Sequence, residues 1–177
     1  KPFWPRVSPH FLACRRGVRA ASLNRTVAVG LSGGADSLAL LAALVAEGHD
    51  VLALCVDHRL QEGSRAQAER AAEQARELGA RARVLSVEAG GAGPESMEAA
   101  ARVARYRALA AASAAEELEV AVAHTADDQA ETLLLGALRG RVTGMSERSE
   151  VEGARVVRPL LGCLLYTSDA ADDSLRV

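Results

Sequence analysis

Lysine is nearly missing from this 177-residue chain: Lys1 stands alone, and every other strong cation is an arginine. No phosphate-binding loop here can close on a lysine. A Walker A loop, which needs a Gly-Lys-Ser/Thr ending, is therefore excluded. Aromatic residues make up only 3% of the chain against 49% hydrophobic residues, so a core must be built from Ala, Leu and Val. Cysteine is scarce, and Cys14, Cys55 and Cys163 lie far apart with no C-x-x-C pair. That spacing excludes a zinc knuckle or a dithiol redox site and gives no disulfide framework. No apolar run reaches transmembrane length and no signal-peptide pattern opens the chain, so a cytoplasmic location without a membrane partner is the expectation. The net charge of −2 shows no bulk basic character. A domain that grips nucleic acid unaided would carry a basic face, so such contact would need a local arginine patch or another domain.

What the chain does have is alternation. Residues 1–22 read as a loose lead-in over 1–10, with Pro2, Pro5 and Pro9, and a short helix over 11–22. Apolar runs at 26–31, 51–56, 83–87 and 120–123, with a short one at 155–157, read as buried strands. Helical patterns fill 36–47, 64–78, 94–117 and 126–138, with Gly48 and Gly79 as stops and a Gly-rich loop over 90–94. This order predicts an α/β domain: a parallel, Rossmann-like sheet of about five strands with helices on both faces. Crossovers should be right-handed, and ligands should sit at the carboxyl ends of the strands, near the point where strand order reverses. Every segment that carries chemistry falls just after a strand.

The first such segment is Ser32-Gly33-Gly34-Ala35-Asp36-Ser37, between a strand and a helix. Two glycines let the backbone turn sharply and approach an anion, and a helix start favours negative charge. Ser32 and Ser37 can donate to phosphate oxygens. Asp36 would repel phosphate, and makes sense where Mg²⁺ bridges carboxylate and phosphates. The plain alternative is a Gly-Gly turn with a Ser or Asp cap. The second segment is Val56-Asp57-His58, where Asp57 either lines a pocket or caps the next turn. The third lies on the long helix, where Glu98, Arg102, Arg105 and Tyr106 share roughly one face. Those arginines are either solvated surface or a bidentate clamp on phosphate. The fourth is His124-Thr125-Ala126-Asp127-Asp128-Gln129-Ala130-Glu131-Thr132. Carboxylates favour a helix start, but three of them with a His and a Gln exceed what capping requires.

These segments, with Leu138-Arg139-Gly140, Gly144-Met145 and Arg158-Pro159-Leu160-Leu161, resemble in order and spacing the N-terminal domain of the tRNA(Ile)-lysidine synthase family. That family belongs to the PP-loop ATP pyrophosphatase superfamily. The resemblance runs over residues 18–161. It implies an adenine nucleotide alpha hydrolase-like fold over residues 23–162 and a ligase activity in tRNA modification. ATP would adenylate the C2 oxygen of the wobble cytidine in a CAU-anticodon tRNA(Ile), and the amine of L-lysine would then displace AMP to give lysidine. The resemblance assigns Ser32, Gly33, Gly34, Ala35, Asp36, Ser37 and Asp57 to ATP, with Asp36 and Asp127 toward Mg²⁺. It assigns Asp36, Arg102, His124 and Asp127 to the chemistry, with His124 as an acid–base or positioning group. Asp128, Glu131, Arg105 and Arg139 fall to lysine and tRNA. A homodimer is one arrangement left open. Rival readings are a tRNA-thiolating sibling, an amide-forming synthetase, and a non-catalytic nucleotide-binding module.

The chain departs from the family in three places. The loop from Arg139 to Met145 is short, Arg59 stands where glycine is common, and residues 163–177 leave the pattern. That tail is expected to be non-native sequence of the adapter read-through kind, with the family's C-terminal tRNA-binding domains absent.

Overall fold

The computed structural model describes Trp4 and residues 8–59, 63–88 and 94–163. The Gly-rich stretch ahead of Pro94, residues 60–62 and the tail after Cys163 lie outside the described residues. Helix α1 spans Pro9–Ala20, and Ser8 caps it by accepting from the Phe11 N–H at 3.3 Å. Pro9 stands in the first turn, where its missing N–H costs nothing. Then follow β1 (Thr26–Leu31), α2 (Ala35–Ala46), β2 (Asp50–Asp57), α3 (Ser64–Glu77), β3 (Arg81–Ser86) and α4 (Pro94–Ala114). The order ends with β4 (Val120–Ala121), α5 (Ala126–Leu138), β5 (Arg148–Val151) and β6 (Ala154–Val157).

The strands form one sheet in the order β3-β2-β1-β4-β6-β5. All neighbours are parallel except β5 and β6. The expectation of about five parallel strands is therefore corrected to six, one of them antiparallel. The reason is local. β5 carries Arg148, Ser149 and Glu150 at a half-exposed edge, so a search for apolar runs passes over it. Its signal is the turn: Glu152 and Gly153 both have positive φ, 49° and 82°, which is the type I′ geometry of a two-residue hairpin. β4 is also shorter than the apolar run 120–123. Val122 still donates its N–H to Val157 O at 2.9 Å before the chain leaves the sheet.

Alternate residues of the strands feed two cores, as a pleated sheet buried on both faces requires. Val27, Val29 and Leu31 of β1 and Val51, Ala53 and Cys55 of β2 pack under α1, α2 and α3. Ala28, Leu52, Leu54, Val120, Val122 and Val156 pack under α4 through Tyr106 and Leu109. α2 is buried from Ser37 to Leu44 without interruption, which explains its apolar composition on every side. As the composition requires, the largest fully buried side chains are mainly Leu and Val, with Tyr106 and Phe11 the aromatic exceptions.

The topology also sets the place of the site. The chain builds β1, β2 and β3 outward on one side, then crosses back to lay β4 on the other side of β1. Loops after β1 and β4 therefore diverge to opposite faces and leave a crevice between them.

Candidate active site

A cavity of about 550 Å³ opens at that crevice. The loop after β1 forms one wall. Gly33 has φ 83°, a left-handed conformation that a side chain would strain, so the sharp turn needs this glycine. The serines hold the loop closed. Ser37 Oγ donates to Gly34 O at 2.9 Å, and Ser32 N and Gly34 N donate to Ser37 Oγ and Ser32 Oγ, each at 3.3 Å. No side chain caps α2 at Gly34, and Gly34, Ala35, Asp36 and Ser37 all line the cavity. The positive end of the α2 dipole is thus at the wall, where an anion is favoured.

The opposite wall comes from the end of β4 and from α4. His124, Asp128 and Arg105 line it. Asp128 has a double role. Its Oδ2 accepts from Thr125 N at 2.7 Å and from Thr125 Oγ1 at 3.1 Å, closing the capping box of α5. Capping therefore orients the carboxylate that borders the cavity. Arg102 and Arg105 place their guanidinium carbons 5.1 and 5.4 Å from the centre of the Tyr106 ring, within cation–π range. Tyr106 is fully buried, and its hydroxyl has no hydrogen-bond partner among the described residues. Leu54, Val56, Leu109 and Val122 supply an apolar floor.

Not every residue singled out from the sequence reaches this cavity. Asp57 is buried and does not line it. Its carboxylate accepts from Ser64 Oγ at 2.6 Å and Arg59 N at 3.0 Å, and the Ser64 hydrogen bond is the main cause that holds it below the usual carboxylate range. It ties the end of β2 to the first residue of α3, the capping alternative raised above. Its neighbour His58 does line the cavity. Burial and the Arg105 charge hold His58 below the ordinary imidazole range. Asp127, Glu131, Arg102 and Arg139 are exposed and off the cavity wall. Asp128 and Glu131, three residues apart, thus differ in setting: the first is half-buried at the cavity, the second open to solvent. Among the described residues no three His, Cys, Asp or Glu side chains converge as a metal cage. Magnesium commonly takes one or two carboxylates and completes its shell with substrate phosphates and water. Asp36 on the cavity wall fits that share.

Three further features have partners that the sequence did not show. Arg158, directly after β6, is only 5% exposed and donates through Nε to His124 Nδ1 at 3.2 Å. Gln129 clasps the backbone of Met145: its Nε2 donates to Met145 O at 2.8 Å and its Oε1 accepts from Met145 N at 2.6 Å. The short loop is thereby tied back to α5. Cys163, where the tail was expected to begin, is half-buried, and its carbonyl accepts from Ala126 N at 2.7 Å. Arg59, which stands where glycine is common in the family, has φ 52°, in the left-handed region that favours glycine.

Comparison with known proteins agrees with this geometry. Residues 13–165 match the family described as PP-loop domain. A tRNA(Ile)-lysidine synthase of Corynebacterium glutamicum is 52% identical over 158 residues, covering 89% of this chain and 48% of that protein. One from Corynebacterium diphtheriae is 53% identical over 175 residues, covering 99% and 56%. The chain thus spans about half the length of the curated relatives it matches. Among solved structures, a U34-tRNA thiolase from Methanococcus maripaludis with its [4Fe-4S] cluster shares the fold at a TM-score of 0.74 and 21% identity, over 94% of this chain and 64% of that one. An NH3-dependent NAD synthetase from Campylobacter jejuni shares it at 0.61 and 20%, over 95% and 71%.

Proposed function

Since the chain belongs to the PP-loop domain family, we propose that it is the catalytic part of an enzyme that joins L-lysine to C2 of the wobble cytidine in a CAU-anticodon tRNA(Ile). ATP is consumed, and lysidine, AMP and diphosphate are the products. The observation that carries this reading is that the Ser32–Ser37 loop and the segment starting at His124 meet at one cavity. Half-identical relatives named tRNA(Ile)-lysidine synthase support it.

The C2 carbonyl of cytidine is a poor electrophile until its oxygen becomes a leaving group. The protein's task is to align ATP with the base and to balance charge on the α-phosphate. In this reading the Ser32–Ser37 loop and the start of α2 hold the phosphates, and the apolar floor takes the flat face of a nucleobase. Asp36 would hold Mg²⁺, which when bound neutralises charge on the phosphate oxygens. Arg105 faces the anionic part of the ligand from the other wall, with Arg102 beside it at the rim. Asp128 offers its charge to the lysine ammonium, and Glu131 does so from outside the cavity. Asp127, exposed in the first turn of α5, would be the second carboxylate for Mg²⁺, and Arg139, also exposed, falls to the approach of tRNA.

Thiolation is the weaker reading on chemical grounds. Burial pushes the Cys14 thiol up to about 12 and the Cys55 thiol up to about 11. A buried thiol of that kind is a poor nucleophile, because the thiolate does the attacking.

The decisive assay is transfer of radiolabelled lysine to a CAU-anticodon tRNA(Ile) with Mg-ATP, against a UAU-anticodon control. Label in the CAU tRNA alone is expected, and equal label in both, or none with the full reading frame, refutes the reading. Asp36→Ala is expected to abolish AMP formation, and normal turnover would remove Asp36 from the metal role. Glu131→Ala is expected to raise the lysine requirement while ATP binding persists, and an unchanged requirement would remove Glu131 from the substrate site.

A further inference from the structure

Arg158 is the one buried cation among the described residues, and no carboxylate pairs with it there. Burying a charge without a counter-ion is costly unless its hydrogen bonds are met. Three of the five N–H donors of Arg158 go to neutral acceptors: Nη1 donates to Ser146 O and to Ser149 Oγ, both at 2.8 Å, and Nε donates to His124 Nδ1 at 3.2 Å. The first two bonds tie it to β5 and the residues ahead of it. The third carries information about the site.

A guanidinium has only donors and keeps its proton. The imidazole nitrogen it addresses must therefore be an acceptor, which puts the ring proton of a neutral His124 on Nε2. Protonating the ring would set an Nδ1–H against the Arg158 N–H. Other neighbours push the same way: burial first, then Arg158, with Arg102 and Arg105 adding to it and Asp128 opposing, and together they hold the ring down to about 4. Nε2–H is then the one polar group His124 has left to offer, and His124 lines the cavity.

We propose that Arg158 is a positioning residue: by occupying Nδ1 it fixes His124 as a neutral Nε2–H donor to a phosphate oxygen in the cavity. His124 then takes no proton in the reaction. Of the two roles open to it from the sequence, acid–base group or positioning group, the hydrogen-bond geometry selects the second. The phosphate in this statement rests on the nucleotide reading above, whereas the ring's tautomer does not.

The test separates the two. The full chain is prepared with ¹⁵N-histidine, and the His124 signals are assigned by their loss in His124→Gln. The expected spectrum has a protonated, pyrrole-like Nε2 and a pyridine-like Nδ1 throughout the range from about pH 5.5 to 8, where an ordinary histidine would titrate. A protonated Nδ1, or a ring that gains charge within that range, overturns the proposal. Arg158→Met is expected to mix the two tautomers. If that variant does not fold, the spectrum of the unaltered chain still decides. AMP formation gives the second readout. The amide of His124→Gln can place an N–H2 near Nε2 and is expected to retain about a tenth of the activity, whereas His124→Asn loses about a hundredfold, the usual scale for one lost donor. Equal loss in both overturns the donor role. A locked Nε2–H ring in a chain that binds no nucleotide supports the Arg158 assignment and overturns the nucleotide reading. AMP formation with an Nδ1–H ring does the reverse.

Discussion

The clasp between Gln129 and Met145 spans 16 residues and joins α5 to the far end of the loop that follows it. Replacing Gln129 with alanine removes both hydrogen bonds and leaves the Met145 N–H and C=O to find other partners. Each bond is worth about 1 kcal/mol net, so the loop should lose about 2 kcal/mol of local stability. A second anchor stays in place: Arg141 N donates to Gly136 O at 2.7 Å, and the loop backbone approaches so closely that a Cβ at Gly136 would lie 2.4 Å from Arg141 O. Opening is therefore local, and its equilibrium should rise about 30-fold, since 1.4 kcal/mol is a factor of ten. Trypsin reads this directly, because Arg139 and Arg141 lie in the loop and are exposed. When opening and closing are fast relative to cleavage, the cutting rate tracks the open population. Gln129→Ala should thus be nicked at these arginines about 30-fold faster than the parent. An equal rate would mean that the clasp contributes nothing in solution. Gln129→Glu sharpens the test, since its carboxylate can still accept from Met145 N but faces Met145 O with no proton to donate. With the parent cut at the same pH as the reference, the variant's excess cutting should be large at neutral pH and shrink as the pH falls and the carboxylate gains a proton.

Two further outcomes follow from the same structure. The His124 ring is held well below the ordinary imidazole value in the folded chain, down to about 4. The unfolded state therefore binds a proton first on acidification, and stability is lost progressively as pH falls from the ordinary histidine range toward 4. Urea midpoints at about pH 7 and pH 5 should differ more in the parent than in His124→Gln, and identical differences would refute the neutral buried ring. Arg59→Gly removes a left-handed arginine at the cost of a surface pair with Glu88, so it should raise stability by about 1 kcal/mol in thermal or urea unfolding. A loss of stability would show that the Arg59 side chain matters more than its backbone strain.

Local rules were enough for much of this protein. The apolar runs at β1 and β2, the glycine stops after α2 and α3, and the loop Ser32–Ser37 all express short-range chemistry that neighbours in sequence decide. The helix expected over 126–138 is α5 at those bounds, with the carboxylates that favour a helix start in its first turn. The sequence also put the segments at Ser32, Val56 and His124 at strand ends, and a parallel sheet then had to bring those three to one edge.

What only the tertiary structure decided was which member of each segment faces the cavity. Asp57 and His58 are adjacent, yet the carboxylate turns inward to Ser64 while the imidazole lines the cavity. Asp128 and Glu131 share a helix turn, yet only Asp128 borders the cavity, because Thr125 draws it back over the helix start. β5 stayed hidden because an edge strand has little apolar surface to announce it. Arg158 stayed hidden for a different reason: its role depends on β6 lying beside β4, a pairing between residues more than thirty positions apart. A side chain's type is written in the sequence, but its partner is set by which strands lie side by side, and that is a property of the folded sheet.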